Sequence, residues 1–108
     1  MIATLLRSCL ILSFLIMQLV LSGCVTAPAP NDEFIYAKLA IDYARSVQSV
    51  KYSPGYWHQA EEFFRQAKIL YNEREYLDAR ELFIKARLSA EKAENSTRLL
   101  RQKNGDIL

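Results

Sequence analysis

Hydrophobic residues are laid out along this chain in two ways. From Cys9 to Leu21 they form one block, Cys-Leu-Ile-Leu-Ser-Phe-Leu-Ile-Met-Gln-Leu-Val-Leu, preceded by a single positive charge at Arg7. From residue 32 onward they recur every three or four positions among charged residues, the spacing that lines one face of an α-helix, and no strand-like alternation is present. Between the two regions lies Val-Thr-Ala-Pro-Ala-Pro-Asn, residues 25–31. Its two prolines hold the backbone extended and block helix, so it reads as a tether.

The periodic region divides into three helices. The first is expected to start with Asn31 or Asp32 as N-cap and to run to about Val50. Tyr36, Ala40, Tyr43, Val47 and Val50 form one apolar seam, and Phe34, Ala37, Ile41 and Ala44 a neighbouring one. Lys51-Tyr52-Ser53-Pro54-Gly55 interrupts it, with Ser53 placed as N-cap and Pro54 at the first helical position, where a missing N–H costs nothing. A second helix follows on Trp57, Ala60, Phe64, Ala67 and Tyr71, with Phe63 and Leu70 beside that seam and Glu61 placed to pair with Arg65. The junction Asn72-Glu73-Arg74-Glu75 contains neither proline nor glycine, so a single long helix competes with a hairpin. Continuing the phase from Tyr71 would put Arg74 or Glu75 on the seam, whereas the apolar pattern restarts at Tyr76; the phase favours the hairpin, with Asn72 as the left-handed residue. The third helix keeps a three-four alternation over Tyr76, Ala79, Phe83, Ala86, Ala90, Ala93, Thr97 and Leu100, with Glu81–Lys85 and Glu94–Arg98 as supporting pairs, and Asn104-Gly105-Asp106 stops it. The fold class is all-α, a three-helix arrangement.

With 108 residues there is room for one small domain. A formal charge of +2 leaves no field to recruit nucleic acid. The two cysteines, Cys9 and Cys24, lie within and at the end of the apolar leader, so no disulfide is expected and packing must hold the domain. His58 is the sole histidine, which removes histidine-based metal sites and Cys-His nucleophilic pairs. The acidic residues of the last two helices, such as Glu61, Glu73 and Asp78, are spread among arginines on polar faces. No catalytic constellation, metal site or cofactor is therefore expected, and the chain does not read as an enzyme. Arg98, Arg101 and Lys103 suit the negative C-terminal end of the last helix, with contact to anionic lipid or glycan as the alternative.

The apolar block of about 13 residues is shorter than the roughly 20 that a permanent membrane helix requires, and small residues follow it, as in a secretory leader. Leu21-Ser22-Gly23-Cys24 resembles the lipobox of bacterial lipoproteins. That resemblance implies cleavage between Gly23 and Cys24, a diacylglyceryl thioether on Cys24 and, usually, an acylated amine, so that two or three chains enter the membrane. The expected division is a signal peptide over 1–23, a lipidated tether over 24–31 and a helical domain over 32–108. Val25, where an aspartate would signal retention on the inner membrane, favours the outer membrane, with the domain facing the periplasm.

Residues 60–86 are similar to one tetratricopeptide repeat, a two-helix unit. Tyr76, Ala79, Phe83 and Ala86 match its second helix, and Phe63, Ala67 and Leu70 its first. Gln66 occupies a usual leucine, Arg74 replaces the turn glycine, and no closing proline follows Ala86, which argues against a repeat array. The run from Ala37 to Glu94 also looks like a bacterial domain of unknown function found in short envelope lipoproteins, in some relatives ahead of an OmpA-like peptidoglycan-binding domain. The resemblance implies an envelope helical module and supplies no activity; the expected role is a lipid-anchored interaction or scaffold module, or alternatively a structural spacer contacting peptidoglycan. The first helix carries more apolar surface than one hairpin covers, so Tyr36, Tyr43 and Val47 are the expected docking face for a protein partner or a second copy.

Overall fold

The computed structural model describes residues 1–21 and 27–106. The proposed cleavage and lipidation residues Gly23 and Cys24 lie outside the described residues. Five helices are present, α1 (Ile2–Leu21), α2 (Asn31–Ser46), α3 (Ser49–Tyr52), α4 (Pro54–Asn72) and α5 (Tyr76–Lys103), and no strand occurs among the described residues. The all-α expectation holds, with two helices beyond the three expected in the domain: the N-terminal apolar helix α1 and the single turn α3.

Helix α1 is longer than the apolar block from which it was read. Ile2 to Leu6 are themselves compatible with helix, so the element spans 20 residues, and its stretch Ile2–Val20 is long and apolar enough to cross a membrane. Length alone therefore does not separate a leader from an anchor here, contrary to the expectation from Cys9–Leu21. The helix packs on none of the other four.

In α2 the expected boundaries shift at both ends. Pro30 occupies the N-cap position, its carbonyl accepts the N–H of Phe34 at 3.0 Å, and its ring is fully buried. Asn31 is already helical, and its Oδ1 accepts the Tyr71 hydroxyl at 2.7 Å instead of capping the helix. The tether thus ends docked against the domain. At the other end α2 stops at Ser46, not near Val50, because Gln48 adopts a left-handed φ of 68° and the chain turns into α3. The buried face is Ala37, Ala40, Ile41 and Ala44, so the core takes three residues of the second seam together with Ala40 of the first, while Tyr36 and Tyr43 stay outside.

Pro54 opens α4 as expected, but Ser53 at its cap position makes no capping bond. The α4–α5 junction is a hairpin. Arg74, not Asn72, is the left-handed residue, at φ 62°. The Arg74 N–H donates to the Tyr71 carbonyl at 3.1 Å and the Glu75 N–H to the Leu70 carbonyl at 2.9 Å, the paired bonds of a Schellman ending. Gly105, at φ 79°, closes α5 in the same manner.

Helix α5 is the axis of the domain and packs on α2, α3 and α4. Its buried stripe is Ala79, Phe83, Ala86, Ser89, Ala90, Ala93 and Thr97; Leu100, placed on the seam by spacing, is 39% exposed because the flanking helices end before it. Nine of the thirteen buried hydrophobic residues are alanine. Small contact residues let helix backbones approach at the short end of the usual 8–10 Å range. The large side chains gather at one level, where Phe34, Phe64, Tyr71 and Phe83 form a ring cluster with centroids 5.4–6.5 Å apart. Tyr71 also meets Tyr76 across the turn, so both tyrosines are structural.

Polar contacts hold the other end. Thr97 Oγ1 lies 2.9 Å from Ser49 Oγ and 3.1 Å from Ser53 Oγ, all three residues being buried. A hydroxyl carries one proton, so Thr97 donates to one serine and accepts from the other. Beside it Arg101 donates from Nη1 to the Val47 carbonyl at 2.9 Å and stacks on Tyr52, whose hydroxyl donates to Asp106 at 3.0 Å. Arg101 thus satisfies the end of α2 rather than the end of its own helix. On the outer faces Glu81–Lys85 and Glu94–Arg98 pair as expected, but Arg65 pairs with Glu62 at 2.6 Å, and Glu61 reaches across to Arg45 at 3.8 Å.

Two stability predictions follow from these contacts. Thr97→Val keeps the shape but strands a buried serine hydroxyl, and is expected to cost about 1–3 kcal/mol in urea unfolding of a soluble chain starting at Ala27, with Thr97→Ser retaining most of the stability. At the hairpin, Arg74→Gly relieves a left-handed conformation costing roughly 1–2 kcal/mol and adds about 0.4–1 kcal/mol of unfolded-chain freedom. A small net gain, seen as a raised Tm, is the expected result, and a lowered Tm would contradict the assigned turn.

Candidate functional site

Several grooves open on the domain surface. One, of about 470 Å³, lies between the start of α2 and the end of α4, lined by Asn31, Phe34, Ile35, Lys68, Tyr71 and Asn72. A second, about 430 Å³, runs along Tyr52, Ser53, Gly55, Tyr56, Gln59 and Ser96. A third, about 550 Å³, sits on the outer face of α4 beside His58, Glu61 and Arg65. The fourth, about 250 Å³, runs between α2 and α5, where Tyr36, Leu39, Ala40 and Tyr43 face Arg87, Glu91 and Glu94. None brings together a nucleophile, a base and a third orienting group. Among the described residues no group of three His, Cys, Asp or Glu side chains is placed to hold a metal ion.

The α2–α5 groove is the smallest of these, and three exposed apolar side chains of α2 line it. Tyr36 is 53% exposed, Leu39 47% and Tyr43 59%, and Ile84 and Leu88 carry apolar surface along the neighbouring exposed side of α5. Tyr36, Leu39 and Tyr43 share one side of α2 by their three-four spacing, opposite to the Ala37–Ile41–Ala44 face that the core takes. Phenol rings with a polar tip tolerate water and also bury well, a combination common at protein contacts.

Of the residues expected to form a docking face, Tyr36 and Tyr43 are exposed side by side as read, and Val47 is not part of it. Val47 is 5% exposed, because α2 ends one turn early and the chain turns this residue inward, under the guanidinium of Arg101 that bonds its carbonyl. Leu39 takes its place on the face. It belongs to neither seam identified from spacing, and the available signal was that it lies one turn from both tyrosines. His58 is exposed on α4 and has no metal-binding partners.

The groove is bounded at the tether end by a cross-helix ion pair, Arg80 Nε to Glu33 Oε1 at 2.7 Å. The backbone N–H of Glu33 itself, in the first turn of α2, holds its carboxyl below the usual value; partial burial opposes this, and the bond and charge of Arg80 reinforce it. On α4, the hydrogen bonds from Arg65 and then Gln66 lower the Glu62 carboxyl likewise. At the midpoint of the groove Arg87 Nε is 3.7 Å from Glu91 Oε1 and is a buried atom with no hydrogen-bond partner.

A family model, Domain of unknown function (DUF4398), matches residues 32–105, the region from α2 to the end of α5. No curated protein and no solved structure matches the chain.

The Glu33–Arg80 pair makes a pH-dependent contribution. The folded chain binds the Glu33 proton less tightly than the unfolded chain, so the stabilisation is fully present above the ordinary carboxylate value of ~4.3 and is lost as pH falls through the lower folded value. Arg80→Met is expected to cost at most about 1 kcal/mol at pH 7, since Arg80 is half exposed, and the difference from wild type should shrink below about pH 4. Thermal melts across pH 3–7 read it.

Proposed function

On the footing that this chain belongs to the DUF4398 family, we propose that it is a lipid-anchored helical interaction module of a bacterial cell envelope. The observation that carries the reading is the order of parts. An apolar helix that packs on none of the other four helices ends at the Leu21 of Leu21-Ser22-Gly23-Cys24, and six residues after that cysteine a buried Pro30 opens a folded domain. A leader removed after Gly23 would leave Cys24 as the mature N-terminus. Its thiol is the strongest nucleophile among side chains for thioether formation. Two or three acyl chains, each buried methylene contributing about 0.8 kcal/mol, make such an anchor stable where one chain is marginal.

The domain itself supports binding over catalysis. Its polar groups serve structure, in the hydroxyl trio, the Arg101 bond to α2 and surface ion pairs, while the tyrosine-bearing face of α2 stays exposed. The α4–α5 hairpin, with Ala79, Phe83 and Ala86 buried against Ala67, is consistent with a tetratricopeptide-like unit lengthened by the continuation of α5 past Ala86. Val25 after the cysteine supports placement on the outer membrane, facing the periplasm. The spacer alternative predicts co-sedimentation with peptidoglycan.

Cys24→Ser tests the anchoring. The expected outcome is loss of fatty-acid incorporation and of partition into the detergent phase. Label retained by the serine variant, or missing from wild type, would remove the proposal.

A further inference from the structure

We infer that the face of Tyr36, Leu39 and Tyr43 on α2, with Ile84 and Leu88 on α5, is the contact between two copies of this chain related by a two-fold axis. The inference rests on the interaction reading above and names the occupant of that face as a second copy.

Area is the first argument. The two tyrosines are more than half exposed, and Leu39, Ile84 and Leu88 are 47%, 37% and 45% exposed. With aromatic side chains worth 150–250 Å² each and aliphatic ones somewhat less, the face presents on the order of 400 Å² of apolar surface. A standard interface buries about 800 Å² per partner, a little over half of it apolar. The face therefore has the size of the apolar centre of one such interface, with polar surface left over for a rim. The other exposed aliphatic residues of the domain, Ile35, Val50, Ile69, Leu77, Leu99 and Leu100, are distributed over α2, α3, α4 and α5.

Charge is the second. A surface that meets its own copy across a two-fold must carry both signs, since residue i then faces j while j faces i. The rim here does. Arg87 and Glu91 border the groove one turn apart, with side chains 39% and 49% exposed, and their own contact is loose at 3.7 Å, which leaves Arg87 Nε without a hydrogen bond. A second copy brings Glu91 toward Arg87 and Arg87 toward Glu91. A partner carrying one sign of charge would gain at one of these residues and lose at the other.

Topology is the third. Every copy anchored in one leaflet has the same end of its domain, the buried Pro30, nearest the lipid. Two copies so held can share a two-fold only along the membrane normal, which sets like residues of α2 side by side. Confinement to a plane raises the effective concentration of the second copy without any new contact. A two-fold closes on itself, so the pair does not grow into a filament.

The test uses the full chain in its own membrane. Cys9 and Cys24 are its two cysteines, so leader removal and acylation leave a mature chain without a free thiol. Single cysteines are introduced by Leu39→Cys, Tyr43→Cys and, on the outer face of α4, Glu62→Cys and Ile69→Cys, and membranes are oxidised with copper phenanthroline. Disulfide-linked dimers are expected at positions 39 and 43 and not at 62 and 69. Light scattering of the detergent-purified protein should give a two-chain mass for wild type and a one-chain mass for Leu39→Asp, an exposed substitution that leaves the fold intact. Cross-linking that is absent at 39 and 43, or no greater there than at 62 and 69, overturns the inference, as does a one-chain mass for wild type. Fatty-acid labelling of the same samples separates the two ideas. A labelled, membrane-bound monomer retains the anchoring proposal and removes the dimer, whereas an unlabelled two-chain species does the reverse.

Discussion

The structure depends on close approach of the other helices to α5. Ala79, Ala86, Ala90 and Ala93 are fully buried along it, and they meet Ala37, Ala40 and Ala44 of α2 and Ala60 and Ala67 of α4. Alanine removes little area from water, so such a core gains less from hydrophobic transfer than a leucine-rich one and more from the density of backbone and methyl contacts that short separations allow. The few large side chains sit where the three helices diverge enough to admit them: Phe83 with Phe34 and Phe64 toward the tether, and Trp57 with Ile41 farther along. Side chains added anywhere along the alanine stripe would separate helices that have no other broad contact.

A seam of methyl groups is poor at fixing register, because one alanine is much like the next. Directional contacts supply what it lacks. Glu33 and Arg80 fasten α2 to α5 near the tether, and Thr97 with Ser49 and Ser53, together with Arg101 on the Val47 carbonyl, fastens the α2–α3 corner at the far end. Each requires a particular pairing of positions along α5, and buried hydroxyls left unpaired by a slip would cost free energy that a slipped methyl would not. Stability resides mainly in the seam, and uniqueness in these fasteners.

Much of this was legible before any coordinates. The stripe on α5 was clear because its three-four spacing runs unbroken, and the hairpin was clear from phase alone despite lacking glycine. The end of α2 was not, since Gln48 enters the left-handed region with neither glycine nor proline to announce it; that single residue moved Val47 from the surface to the interior. The core cut across the two seams on α2, taking Ala40 and Val47 of the first with Ala37, Ile41 and Ala44 of the second and leaving Tyr36 and Tyr43 outside, a tertiary outcome that local spacing does not contain. Thr97 stood on the seam among alanines, a polar residue at a core position, but its serine partners belong to an irregular segment whose path could not be read. Of the candidate face, the tyrosines were found and Leu39 was passed over because it fell on neither seam.

Burial of Pro30 shortens the free part of the chain. In a protein anchored at Cys24, five residues separate the acylated cysteine from a ring locked into the domain, a reach of at most about 20 Å. Helix α5, with 28 residues and about 42 Å long, runs away from that docked end. So anchored, the module would act as a short ruler on a shorter leash. Whatever it held would stay in a thin shell next to the membrane, and a force pulling on the anchor would reach the first turn of α2, where Glu33 and Arg80 join that helix to α5.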